Sequence, residues 1–206
     1  MKTKKLNTVT MVELAVLIAV VLLMAFTPIG YIKTFGLEIT LIVVPVAVGA
    51  VTLGPVAGLI LGTIFGITSF IQCFGMSPFG AMLLSINPVS TFIVCVPTRM
   101  AMGWLTGMIF RGLKMADLDR KVSTSIACLL GPFLNTFFFM SALCVCFYHT
   151  DYIQSMVTSV GATNVFAFIV AFVGLNGIVE ALSCFVIGTA IAIALMSVQR
   201  NTYQSK

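Results

Sequence analysis

With 206 residues, of which 60% are hydrophobic and only 8% charged, the chain has too little polar surface for a soluble domain, which carries about 25% charged residues. A mean hydropathy of +1.15 marks an integral membrane protein, and the longest polar stretch, 114–125, leaves no room for a second, soluble domain. The net charge of +5 comes from lysines and arginines that flank apolar segments and form no patch, so nucleic acid is excluded as a partner and the lipid bilayer is implied.

Residues 1–206 are read as one transmembrane domain with six hydrophobic segments. The first, 9–28, follows Lys2, Lys4 and Lys5. It is longer than the apolar core of a signal peptide and no A-x-A cleavage pattern follows, so it is expected to stay as the first helix. Ala15 and Ala19, four apart, place small residues on one strip of it. The second segment, 39–53, is short and holds Pro45, which predicts a kink or an irregular stretch. A tight turn ending in Gly54-Pro55 leads into the third, 55–74, where Gly58, Gly62 and Gly66 form overlapping GxxxG steps. Residues 73–83, with Gly75, Ser77-Pro78-Phe79 and Gly80, read as too broken for a helix. The fourth segment, 84–112, carries Pro97-Thr98-Arg99 and another GxxxG at Gly103 and Gly107. The fifth covers 123–148. After a polar loop over 149–162, the sixth runs from 163 to 197, long enough for tilt.

Charge sets the orientation. With the N-terminus, the 113–122 loop and the C-terminus inside, Lys2, Lys4, Lys5, Arg111, Lys114, Arg120, Lys121, Arg200 and Lys206 are cytoplasmic and only Lys33 is external. This positive-inside asymmetry predicts an even number of spans: an all-α membrane protein of six transmembrane helices, N-in/C-in, a compact bundle with an outward-facing binding pocket. The loops 28–39, 73–83 and 149–162 then lie outside as lid material over that pocket.

Arg99 is the most informative residue, because a guanidinium cannot lose its charge and holding one mid-bilayer costs at least ~2.5–3.5 kcal/mol. An internal carboxylate or an anionic ligand must offset that cost, and Glu180 is the other ionisable residue deep in an apolar segment. Helical rise places Arg99 ~20 Å, Asn135 ~18 Å and Glu180 ~25 Å from the cytoplasmic face, with Asn176 one turn further out on the Glu180 face. Gln72 and Asn87 sit at similar or shallower levels. Polar groups at one depth on four helices are what an outward site needs, so Arg99, Gln72, Asn87, Asn135, Asn176 and Glu180 are the candidate substrate-binding residues. A buried Arg99–Glu180 pair, with amides bridging helices, is the competing reading.

Catalysis and cofactors find no support. The single histidine, His149, lies in a loop and there is no HExxH. In a Walker A register, Gly49 to Gly54 is followed by Pro55 where lysine is required. The six cysteines, Cys73, Cys95, Cys128, Cys144, Cys146 and Cys184, are scattered singly and read as small apolar packers. No metal site is expected. A small motorless protein with an outward pocket reads as a binding subunit that takes its energy from partners. A stand-alone small-solute carrier or channel is the alternative, and a membrane enzyme or assembly factor a third class.

Four stretches carry a family resemblance: Ala15 and Ala19; Ile39 to the Gly54-Pro55 turn; Pro97-Thr98-Arg99 with Gly103 and Gly107; and Asn176 with Glu180. In their order the chain resembles the substrate-binding (S) components of energy-coupling factor (ECF) vitamin transporters. Ser77-Pro78-Phe79 and the Asn-x-x-x-Glu spacing look most like the pantothenate branch; folate or riboflavin are the alternative vitamins. The resemblance implies a multi-pass subunit of a bacterial cell membrane, binding a small anionic vitamin from outside. It further implies a transmembrane coupling protein, docked on Ala15 and Ala19, and two ABC-type ATPases, toward which the subunit topples to release its substrate inside.

Overall fold

The computed structural model of the chain describes residues 8–28, 30–33 and 38–204, with the side chains of 31–33, 38–39, 172, 175–176 and 200–204 outside the description. Lys2, Lys4, Lys5 and Lys206, and the side chains of Lys33, Arg200 and Asn176, therefore lie outside it. The described chain is helical apart from one short ribbon. Helix α1 (Thr8–Ala25) leads to strands β1 (Tyr31–Lys33) and β2 (Glu38–Thr40), which pair antiparallel with Tyr31 opposite Thr40. Then come α2 (Val43–Thr52), α3 (Pro55–Gln72), α4 (Pro78–Ile86) and α5 (Pro88–Met115). Helices α6 (Arg120–Phe147) and α7 (Asp151–Ser159) follow. Finally α8 (Val165–Ser183) and α9 (Thr189–Gln204) run on from each other through a π-helical turn, Cys184–Gly188.

Among the described residues, five helical stretches are long and apolar enough to cross a membrane: Thr8–Ala25, Pro55–Gln72, Pro88–Met115, Arg120–Phe147 and Gly177–Gln199. Their outward surfaces are apolar, with Val56, Phe137, Val145, Leu182 and Val186 all exposed, as lipid contact requires. The second segment differs in kind. Helix α2 has 10 residues, and all of Val43 to Val51 are buried, so it is apolar all round because every side faces another helix. It packs against α1, α3, α5, α6 and α9 at the centre of the bundle. Pro45 does not kink it: the proline is the third helical residue, within the first turn, where its missing N–H has no intrahelical partner to lose. The irregularity expected of this segment falls instead before the helix, in β2 and the turn at Leu41-Ile42.

Two further expectations are corrected. The 73–83 connection is not too broken for a helix, because Ser77 and Pro78 start one. The Ser77 hydroxyl accepts from the Gly80 N–H at 3.4 Å, and Pro78 occupies the first helical position, where its fixed φ is favourable. Likewise α7 lies within the 149–162 loop, capped by the Thr150 hydroxyl accepting from Ile153 N–H.

Helices α3 and α5 run antiparallel at the closest approach in the bundle. A Cβ built at Gly58 would strike the Gly103 carbonyl, and one at Gly62 would strike the carbonyl of Arg99. In lipid, where apolar burial gives no net drive, such backbone contact supplies the packing attraction. At one end of the bundle Gln199 Nε2 on α9 donates to Glu13 Oε2 on α1 at 2.7 Å, so the first and last described helices finish side by side.

Candidate functional site

Arg99 lies inside the bundle, 8% exposed. Its placement begins with Pro97, which has no N–H to continue the α5 ladder and so loosens the turn around it. The Val94 carbonyl in that turn accepts from the Thr98 hydroxyl and from Arg99 Nη1 at 2.6 Å, and Nη1 lies 3.2 Å from Thr98 Oγ1. The guanidinium carbon is 4.7 Å from the Phe139 ring centre and 5.5 Å from that of Phe65. Two aromatic faces from α6 and α3 thus flank the cation, each worth ~0.5–2 kcal/mol. Nε has no hydrogen-bond partner although it is buried.

Glu180 is equally buried, 7% exposed, but it is used elsewhere. Its Oε1 accepts from the backbone N–H of Thr40 at 2.7 Å, fastening β2 to α8. Among the described residues no ion pair joins Glu180 to Arg99, although the two charges are near enough to act on each other. In this geometry the Glu180 carboxylate holds the β-ribbon through Thr40, and Arg99 Nε is without an acceptor.

Asn135 is buried on α6, one turn before Phe139 and on the same helix face, and its Oδ1 has no partner. Arg99 lies ~17 Å from the Pro88 end of α5, Asn135 ~18 Å from the Phe147 end of α6 and Glu180 ~22 Å from the Val165 end of α8, so the three share a level. The remaining candidates stand apart in role. Gln72 is buried with its Nε2 donating to the Ala25 carbonyl, which joins the ends of α3 and α1. Asn87 is exposed and caps α5, its Oδ1 accepting from Ser90 N–H at 3.1 Å. The Asn176 side chain lies outside the described residues, though its backbone is in α8.

Sequence reading missed Phe65, Phe139 and Thr40. For Phe139 a signal existed in the aromatic residue one turn from Asn135; for Thr40 none did, since only the folded ribbon brings its N–H to α8. Among the described residues no cluster of three or more His, Cys, Asp or Glu side chains could hold a metal ion.

Chemically the arrangement is a buried cation with free donor edge, aromatic walls and an unpartnered amide oxygen. It offers no nucleophile paired with a base. Ala15 and Ala19, by contrast, are exposed on the outer face of α1. The family model described as the ECF transporter substrate-specific component matches residues 9–192, nearly the whole chain, and the chain belongs to that family. Among curated proteins none matches the sequence.

Proposed function

Taking membership of the ECF substrate-specific components as the premise, we propose that this subunit binds a small carboxylate vitamin at Arg99, pantothenate before folate; riboflavin, which carries no carboxylate, is the alternative outside that class. The family makes it a membrane-embedded, substrate-binding transport subunit that works with the ECF module. In the proposed arrangement the substrate enters from outside into a site of Arg99, Asn135, Glu180 and Asn176, with Gln72 and Asn87 at its rim. Delivery inward follows docking on a transmembrane coupling protein energised by two ABC-type ATPases, in a bacterial plasma membrane.

One observation carries the ligand's charge. Arg99 is a permanent buried cation whose Nε is unpartnered and whose nearest internal carboxylate is engaged with Thr40. An incoming carboxylate supplies both the countercharge and the missing acceptor, in a bidentate geometry that suits guanidinium. The apposition of Glu13 and Gln199 supports an even number of passes, with α2 as the short, buried sixth and both termini cytoplasmic.

The test is mass spectrometry of the small molecule that co-purifies with the protein, followed by calorimetry with pantothenate. A bound carboxylate vitamin that Arg99→Ala no longer retains is the expected result. Normal binding by Arg99→Ala would move the site elsewhere and leave Arg99 as scaffold. Uptake by the chain alone in liposomes would identify a stand-alone carrier.

A further inference from the structure

The six cysteines are scattered in sequence, yet two meet in the fold. Cys73 ends α3 and Cys95 lies one turn before Arg99 on α5; their Sγ atoms are 4.0 Å apart and both side chains are buried. Both thiols are free. Cys73 Sγ lies 3.3 Å from the Ser69 carbonyl and can donate to it, which turns its lone pairs toward Cys95.

We propose that Cys73 and Cys95 form a reversible dithiol–disulfide pair, a staple that pins the end of α3 to α5 beside the Arg99 turn. A disulfide bond is ~2.05 Å long, so the sulfurs must approach by about 2 Å. The α3 side of the joint is the one that lies beside a turn. Cys73 is the C-cap residue that follows α3, and two residues on the chain turns at Gly75 with φ +125°, where a Cβ would find no heavy atom within 4 Å. The α5 side is fixed, held by backbone contact between Gly66 and Val96. Cys128 and Cys184 make a contrast, since both border Gly188 in the bundle interior, with no free chain end beside either.

The chemistry needs a two-electron oxidant, for which hydrogen peroxide or a small disulfide serves. With peroxide, one thiolate attacks an oxygen, the O–O bond breaks and a sulfenic acid and water form. The second thiol then attacks the sulfenic sulfur, the S–S bond forms and a second water leaves. Two thiol hydrogens and two electrons pass to the peroxide. A dithiol reductant reverses the bond by exchange. The closed staple bears on two neighbours at once. Cys95 adjoins Val94, whose carbonyl holds Arg99, and Gly80 at the start of α4 packs directly on Cys73 Sγ.

The experiment treats the purified full chain in micelles with hydrogen peroxide, blocks remaining thiols with a maleimide after denaturation, and maps non-reduced peptides by mass spectrometry. The expected result is a linked peptide joining Cys73 to Cys95, two of the six thiols lost to maleimide, and both regained after dithiothreitol. Cys73→Ser and Cys95→Ser should each remove the linked peptide and leave every remaining thiol labelled. Six labelled thiols after peroxide, oxidation that dithiothreitol does not reverse, or a link between any other pair overturns the proposal. Mapping of the unaltered chain decides the matter even if a variant fails to fold, and it involves no vitamin, so its failure is separable from that of the ligand assignment.

Discussion

A guanidinium inside a bilayer protein is stable only if its surroundings make up for lost water, and Arg99 shows what this fold provides and omits. One backbone carbonyl, the Thr98 hydroxyl and two aromatic faces serve the cation, while Nε is left without an acceptor. In the proposed complex a planar, anionic acceptor supplies that missing partner. Arg99→Lys keeps the charge but loses the fork, and should weaken pantothenate binding at least tenfold, ~1.4 kcal/mol, by calorimetry. Glu180 separates two roles by the size of its substituent. Glu180→Gln keeps an oxygen for Thr40 N–H, whereas Glu180→Ala leaves that donor without its acceptor, at ~1–3 kcal/mol. Thermal melting of the ligand-free protein should therefore fall clearly for Ala and little for Gln. Equal losses for the two variants would mean that the carboxylate serves Arg99 by charge instead.

At the scale of elements, the long apolar runs were legible because length and hydropathy alone mark α1, α3, α5, α6 and the α8–α9 pair. The short helix α2 was read as the 39–53 segment, but α4 and α7 were not seen. In α4 and α7 the starting residues, Ser77-Pro78 and Thr150-Asp151, are also loop residues, and only the capping hydrogen bonds tell the two uses apart. The β-ribbon was hidden for a different reason: three-residue strands have no periodicity, and their position depends on Glu180, 140 residues away. The site was half legible. Depth along helices brought Arg99, Asn135 and Glu180 to one level, but rise says nothing of which groups bond, so the Thr40 contact and the aromatic walls had to come from the fold. Glycine spacing, in contrast, foretold real contacts. Gly62 leaves no room between its Cα and the Arg99 carbonyl, so Gly62→Ala must push α3 from α5 at the turn that carries the arginine. Overpacking of this kind costs ~1–3 kcal/mol. The expected outcome is a lower melting temperature with pantothenate binding weakened as well, whereas the same change at Gly112, where a Cβ meets nothing within 4 Å, should alter neither.

For the whole molecule, the contrast between the two sides of α1 matters most. Leu17, Val21 and Ala25 face the bundle core, while Val12, Ala15, Val16, Ala19, Val20 and Leu23 stay exposed. Small residues inside a bundle serve close packing, but Ala15 and Ala19 touch the outside, where lipid alone makes no demand for them. A strip of alanines one turn apart lets a foreign helix approach its backbone more closely than leucines would. Because that strip lies on the far side of α1 from the buried core, enlarging it should spare the fold. Ala15→Trp combined with Ala19→Trp is expected to leave the melting temperature and pantothenate binding of the isolated subunit unchanged, yet to stop uptake in cells that carry the coupling protein and ATPases. Co-purification of the coupling protein should be lost in parallel. Lost binding in the isolated chain would show that the strip packs internally after all, and undiminished uptake would place the partner on another face of the bundle.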